Sequence, residues 1–264
     1  MINKKIAIIG CGNLGSSIAE GLLRKINNPA NLIVTRRNLD LIQHFSEKGV
    51  TITSDNKWAV KESQIILVAL KPFKLIQILD EIEDSLTPDH IVVSMATGVG
   101  LNEIEKHTGT CKNVYRAMPN VAASVGQSAT CISKNQSSPE SMKQVHSLFD
   151  LMGSTLVINE ELMESATVIG ACGTAFALRF IRAMVQAGIQ IGFSSKTATK
   201  IANQTVKGAA EILIQSGNHP EAEIDKVTTP KGITITGLNE MEHQGFSASL
   251  IQGILASYRK IEGL

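Results

Sequence analysis

The sequence predicts an α/β protein: a doubly wound sheet in the N-terminal part, then an all-helical C-terminal domain. Three observations lead there. A Gly-x-Gly-x-x-Gly motif, Gly10-Cys11-Gly12-Asn13-Leu14-Gly15, ends the apolar run Ile6–Ile9 and opens an amphipathic stretch from Ser16 to Ile26. Short apolar runs then alternate with amphipathic segments to about Ile158, and from about Glu160 onward strand-like runs give way to helical ones. A glycine motif between strand and helix near the start of a chain makes the first domain Rossmann-type.

Runs suited to strands lie at Ile6–Ile9, Leu32–Thr35, Thr51–Thr53, Ile65–Ala69, Ile91–Met95, Asn113–Met118, Ala129–Ile132 and Thr155–Ile158. Ile65-Ile66-Leu67-Val68 is apolar throughout, as in parallel strands covered on both faces. Alternation of such strands with helices builds a doubly wound sheet that binds ligands at the carboxyl ends of its strands. The helical part reads as Glu161–Val168, Thr174–Ile191, Ser195–Ser216, Pro220–Val227, Gly232–Glu242 and Ser247–Lys260. Small residues such as Ala183, Ala187, Ala198 and Ala202 recur on it and permit close helix–helix approach. The expected division is a dinucleotide-binding domain over 1–159 and a helical substrate and dimerisation domain over 160–264. The second is too small to bury its apolar faces alone, which predicts a homodimer through the helical domain, or a higher oligomer containing it.

Each glycine of the motif has a physical task. Gly10 turns the chain, Gly12 lets the backbone approach a pyrophosphate, and Gly15 lets helix and strand pack closely. The phosphates then rest on N–H groups at the positive end of the helix. The second strand ends in Thr35-Arg36-Arg37-Asn38, without the carboxylate that NAD-specific folds place there for the ribose hydroxyls. Two guanidiniums and a hydroxyl stand where a 2′-phosphate would lie, and arginine binds phosphate with a bidentate fork. The expected cofactor is NADP, with NADPH preferred and NADH possible. The plainer alternative is that Arg36 and Arg37 only solvate the start of a helix.

Composition narrows the remaining classes. A chain of 264 residues, 43% hydrophobic and 19% charged, suits a soluble two-domain protein with a sizeable core. A formal net charge of +1 gives no reason to expect nucleic acid or membrane as a partner, and no apolar run is expected to reach membrane-spanning length. Cys11, Cys111, Cys131 and Cys172 show no Cys-x-x-Cys spacing and read as reduced thiols of a cytoplasmic protein. The histidines are dispersed without metal-ligand spacing, so no metal is expected.

Several further motifs, in order, resemble the pyrroline-5-carboxylate reductase family. Beyond the glycine motif these are Asp55-Asn56, Val68-Ala69-Leu70-Lys71-Pro72, Ser94-Met95-Ala96-Thr97-Gly98-Val99, Arg116-Ala117-Met118-Pro119-Asn120, Gln204-Thr205-Val206-Lys207-Gly208-Ala209-Ala210 and Asp225-Lys226-Val227-Thr228-Thr229-Pro230-Lys231-Gly232-Ile233-Thr234. The resemblance implies that Ile9, Gly10, Cys11, Gly12, Asn13 and Leu14 cover the pyrophosphate and that Asn56 touches the adenosine. It implies that Ala69, Leu70, Lys71 and Pro72, and Ala96, Thr97 and Gly98, line the cofactor, with Asn120 near the nicotinamide.

The substrate loops depart from the family pattern. Its Ser-Gly-Ser-Gly-Pro-Ala-Tyr stands here as Gly170-Ala171-Cys172-Gly173-Thr174-Ala175-Phe176, its Ser-Pro-Gly-Gly-Thr-Thr as Thr229-Pro230-Lys231-Gly232-Ile233-Thr234, and Arg182 holds an acidic position. The resemblance carries substrate-binding roles onto Cys172, Thr229, Gly232, Ile233 and Thr234, with Thr234 catalytic. Lys231, in place of a glycine, is expected to keep φ negative and to point into solvent.

The implied reaction is hydride transfer to C5 of the cyclic imine of 1-pyrroline-5-carboxylate, giving L-proline, the last step of proline biosynthesis. It asks for positioning and exclusion of water rather than a nucleophile or paired carboxylates. Amides at the Lys231–Thr234 helix start would hold the small imino acid's carboxylate. Thr234 would hydrogen-bond the imine nitrogen or help deliver its proton. Two readings compete: a divergent relative acting on another imine or carbonyl, and a non-catalytic NADP-binding sensor.

Overall fold

A computed structural model describes residues 4–263, the side chain of Glu262 excepted; residues 1–3 and 264, the outer ends of the two expected domains, lie outside the described residues. Its strands are β1 (Ile6–Ile9), β2 (Leu32–Thr35), β3 (Thr51–Thr53), β4 (Ile65–Val68), β5 (Ile91–Ser94), β6 (Asn113–Met118), β7 (Ser128–Lys134) and β8 (Gly153–Val157). They form one sheet in the order β3-β2-β1-β4-β5-β6-β7-β8. The six strands β1 to β6 pair in parallel, as the apolar runs predict. The exception is β7, which is antiparallel to β6 and carries β8 parallel to itself. Residues 119–127, built around the 3₁₀ turn Val121–Val125, separate β6 from β7, too short a connection for a parallel crossover.

Helices α1 (Asn13–Leu23), α2 (Gln43–Ser46), α3 (Asn56–Lys61), α4 (Pro72–Ile82), α5 (Leu101–Glu105) and α6 (Pro139–Asp150) connect the strands. Successive residues of β4 feed opposite layers. Ile65 and Leu67 pack with Ile18 and Leu22 of α1, whereas Ile66 and Val68 pack with Leu75 and Leu79 of α4. Burying one such side chain contributes roughly 1.5–3 kcal/mol. The strand order reverses between β1 and β4, where doubly wound sheets open a crevice at their carboxyl edge. Register aligns that edge: Ile9 stands opposite both Thr35 and Val68, and Val68 opposite Ser94.

The helical part comprises α7 (Met163–Ala166), α8 (Gly173–Gln190), α9 (Ser195–Ser216), α10 (Pro220–Lys226), α11 (Ile233–His243) and α12 (Phe246–Glu262), with a π-helical segment Thr167–Cys172 before α8. By packing, the chain forms two compact units, one carrying it to Thr174 and again from Tyr258, the other running Ala175–Ser257. The second has a small core, Val185, Ala198 and Ala202. Close helix approach is real there: a Cβ on Gly188 would lie 2.9 Å from that of Ala198. Many apolar side chains of this unit stay exposed, among them Leu178 (60%), Ile191 (76%) and Ile214 (75%).

One expectation fails. Glu160–Gln190 is helical without a break, and an 18-residue window within it has a mean hydropathy of 1.5, so the helix is long and apolar enough to cross a membrane by length and composition. The sequence pattern breaks this stretch at Gly170–Gly173, but the π-helical segment carries the helix through those glycines.

Candidate active site

The turn after β1 has the geometry its glycines predict. Gly10 sits at φ +94°, and a Cβ there would meet Leu70 Cδ2 at 2.4 Å and Ala69 O at 2.9 Å. Gly15 packs so tightly that a Cβ would lie 2.4 Å from Gly10 O. Gly12 is the opposite case, with nothing within 4 Å of a Cβ, so the backbone face beside it is open. No side chain caps α1, which begins at Asn13, and its first turn holds no acidic residue. An open glycine face before an uncapped helix N-terminus fits a dinucleotide pyrophosphate.

Around this turn the carboxyl-edge residues hold one another. Gly10 N–H donates to Thr35 Oγ1 (3.3 Å), and that hydroxyl donates to Asn56 Oδ1 (2.7 Å). Asn56 Nδ2 donates in turn to Glu81 Oε1 at 3.1 Å, while Asp55 caps α3 by accepting Trp58 N–H. Thr35 is buried, and its hydroxyl turns inward to Asn56 instead of standing with the two guanidiniums. The arginines also separate: Arg36 Nη1 donates to Cys11 O at 2.9 Å, whereas Arg37 is exposed. Cys11 is buried, and burial pushes its thiol above the ordinary range against the opposing pull of Ser16 and Arg36.

The other expected cofactor residues lie along the same edge. Ala69 N–H donates to Ile9 O at 2.8 Å, and Leu70, Lys71 and Pro72 lead into α4. Past β5, Ala96 is buried, Thr97 half-buried and Gly98 exposed at φ +74°. Asn120 follows β6 and is held on both ends of its side chain. Its Nδ2 donates to Gly170 O (3.0 Å), its Oδ1 accepts Ala122 N–H (3.0 Å), and it is 8% exposed, so its amide is engaged within the protein.

The expected substrate residues occupy two places. Cys172 closes the π-helical segment of the first unit. In the second unit, Thr229 to Thr234 form the start of α11, with Gly232 as an N-cap lacking side-chain hydrogen bonds and no acidic residue in the first turn. A Cβ on Gly232 would lie 2.5 Å from Thr229 Oγ1 and 2.8 Å from Thr229 O, so glycine is obligatory there. Thr234 is exposed, and Ile233 is 94% exposed. Lys231 is exposed as expected, but its φ is +58°, the only positive value at a non-glycine residue among the described residues. The expected negative φ is therefore wrong: the loop keeps a glycine conformation although the glycine is gone.

One group escaped the sequence reading. Arg116, 2% exposed in β6, is paired with Glu160 (3.2 Å) and Glu164 (2.9 Å). A charged residue within Val-Tyr-Arg-Ala-Met, with two glutamates four apart on one helical face, was the available signal.

Residues 160–264 match the family described as pyrroline-5-carboxylate reductase dimerisation, and residues 5–98 that described as NADP oxidoreductase, coenzyme F420-dependent. The chain is 41% identical to pyrroline-5-carboxylate reductase 1 of Dictyostelium discoideum, over 98% of this chain and 49% of the relative, so it spans about half of that relative's length. It is equally 41% identical to pyrroline-5-carboxylate reductase 2 of the same organism, over 98% of this chain and 92% of the relative. Among solved structures it resembles a Plasmodium falciparum pyrroline carboxylate reductase with NADP bound, with a TM-score of 0.89 at 26% identity over 100% of this chain and 98% of that one. With its Rossmann-type sheet and helical dimerisation domain, the chain belongs to the pyrroline-5-carboxylate reductase family of NAD(P)-dependent oxidoreductases.

Proposed function

We propose that the protein reduces 1-pyrroline-5-carboxylate to L-proline, with NADPH preferred over NADH as the hydride source. The observation that carries the proposal is the open, uncapped β1–α1 turn at the reversal of strand order, in a chain 41% identical to named reductases. The nucleotide, when bound, supplies the hydride. The backbone of Ile9 to Leu14 holds its pyrophosphate. Thr35 and Asn56 shape the adenosine end, Arg36 steadies the glycine turn through Cys11 O, and exposed Arg37 meets the 2′-phosphate. Ala69 to Pro72 and Ala96 to Gly98 line the nicotinamide side, with Asn120 fixing the backbone beside it.

For the substrate, the uncapped start of α11 supports a carboxylate site at Gly232 and Ile233, flanked by Thr229 and Cys172. Thr234 holds the proton at the imine nitrogen. The protein's contribution is alignment and exclusion of water. The helical part, residues 160–264, joins two copies in a homodimer or larger assembly, supported by its match to a dimerisation family and its exposed apolar side chains. A soluble cytoplasmic setting, with neither nucleic acid nor membrane as partner, belongs to the same reading and draws on four unpaired cysteines and a net charge of +1.

The test is loss of NADPH absorbance on adding 1-pyrroline-5-carboxylate, beside a panel of other imines and keto acids. Turnover of this imine with formation of proline is expected. Turnover of another compound alone, or cofactor binding without turnover, would overturn the assignment. Sedimentation should show a dimer or larger species; an active monomer at assay concentration refutes the assembly.

A further inference from the structure

The turn between β5 and α5 carries the Ala96–Gly98 stretch: buried Ala96 donates its N–H to Ser94 Oγ (3.3 Å), whereas the tip at Gly98 is open. Gly98 is exposed at φ +74°, with nothing within 4 Å of where a Cβ would be. The turn is fixed at its two ends. At one, Met95 N–H donates to Val68 O at 2.9 Å. At the other, α5 starts at Leu101, and its N-cap Gly100 brings no side-chain cap. Leu101 N–H finds its acceptor 59 residues away, in Glu160 Oε1 at 2.5 Å. The same oxygen accepts from Arg116 Nη1 at 3.2 Å.

Arg116 is well suited to hold that carboxylate. It lies in the sheet between Ser94 of β5 and Ser133 of β7 by register, and its side chain is 3% exposed. Its second amino group is held by Glu164 at 2.9 Å, so the guanidinium has little freedom to rotate. From Arg116, β6 runs straight into Met118-Pro119-Asn120. One carboxylate oxygen thus joins the helix that follows the β5 turn to the strand that leads into the next turn. A cleft of about 680 Å³ opens alongside, with Gly98, Gly100, Arg116, Glu160 and Glu164 among its walls.

We propose that Glu160 is a positioning residue for hydride transfer. By accepting Leu101 N–H while paired with Arg116, it sets the Ala96–Gly98 turn at a fixed distance from the Met118–Asn120 turn, and so aligns the nicotinamide end of the cofactor. The proposal rests on the reading above that these two turns flank the nicotinamide. Its adenosine end has separate anchors at Thr35, Asn56 and the arginines, so Glu160 acts on the rate of transfer and not on nucleotide affinity.

The experiment measures single-turnover NADPH oxidation by rapid mixing at saturating cofactor and 1-pyrroline-5-carboxylate, with NADPH affinity from nucleotide fluorescence and melting temperature alongside. Glu160→Ala should slow transfer about tenfold, on the scale that small misplacements of reacting groups produce, with NADPH affinity within about twofold of wild type. Glu160→Gln, which keeps an acceptor oxygen for Leu101 N–H, should recover most of the rate. Glu160→Asp keeps the charge beside Arg116 but is one methylene too short to reach both partners; it should be slow as well, and carries the test if the alanine variant fails to fold. A wild-type transfer rate in Glu160→Asp or Glu160→Ala, with only the melting temperature lowered, would overturn the proposal. Wild-type protein inactive toward this imine would remove the assigned activity and the proposal together, whereas an active wild type with unaffected variants removes the proposal alone.

Discussion

Asn120 Nδ2 donates to the carbonyl oxygen of Gly170 at 3.0 Å, tying the end of β6 to the π-helical segment fifty residues later. π-Helical turns shift the regular helical hydrogen-bond pattern and often mark functional sites. The same side chain accepts Ala122 N–H, so both ends of its amide are engaged.

Asn120→Ala removes both bonds and leaves the half-buried Gly170 C=O and Ala122 N–H without these partners. We expect a loss of about 1–3 kcal/mol in chemical denaturation. NADPH affinity should change little, because the amide faces Gly170 and Ala122. A large loss of affinity in a variant of unchanged stability would make Asn120 a direct ligand instead.

Arg36 and Arg37 should separate in nucleotide titrations. Arg37→Gln should weaken NADPH while sparing NADH, by the roughly 1.5–3 kcal/mol of a charge-assisted contact. Arg36→Gln should weaken both nucleotides, since its guanidinium holds Cys11 O within the glycine turn. Equal weakening of both cofactors by the Arg37 variant would show that this residue does not read the 2′-phosphate.

Lys231 sits at φ +58°, where a side chain costs on the order of 1 kcal/mol relative to glycine. Lys231→Gly is therefore expected to raise stability by about that amount in thermal melts. The lysine is exposed, so the Michaelis constant for 1-pyrroline-5-carboxylate should stay close to wild type. A tenfold rise, equivalent to about 1.4 kcal/mol if it tracks binding, would make this lysine a substrate ligand.

His107 gives the fold a pH dependence. Its hydrogen bond to Asp80 (2.5 Å), opposed by desolvation and reinforced by Glu103, raises it above the ordinary 6.5. A raised value in the folded state means that the protonated pair stabilises fully below about 6.5, the unfolded value, and fades as pH climbs through the folded one. Denaturation midpoints should fall across that upper window in wild type, and the fall should shrink in His107→Gln. An identical slope in both proteins would exclude this histidine as its source.

The sequence by itself determined the elements and the glycine turn. An apolar run such as Ile65–Val68 serves as a strand covered on both faces, and Gly10 and Gly15 sit where only glycine geometry serves, with Gly12 leaving an open backbone face between them. The α9 limits, Ser195–Ser216, were legible because Ser194 caps the start and Gly217 takes the left-handed conformation at the end. These are local signals, carried by residues within a turn of one another.

The tertiary structure decided where polar side chains reach. Thr35 turns to Asn56, Asn120 to Gly170 and Glu160 to Leu101 N–H, across separations of 21, 50 and 59 residues. Such partners depend on strand order and register, which place β1 between β2 and β4 and bring Arg116 beside Ser94. Lys231 follows the same logic: residue type favours negative φ, but the α11 start, with Gly232 pressed against Thr229, imposes the left-handed turn. Periodicity sets which segments become strands and helices. Only the assembled sheet and helix starts set which donor meets which acceptor, because a polar group taken out of water must find its partners within the fold.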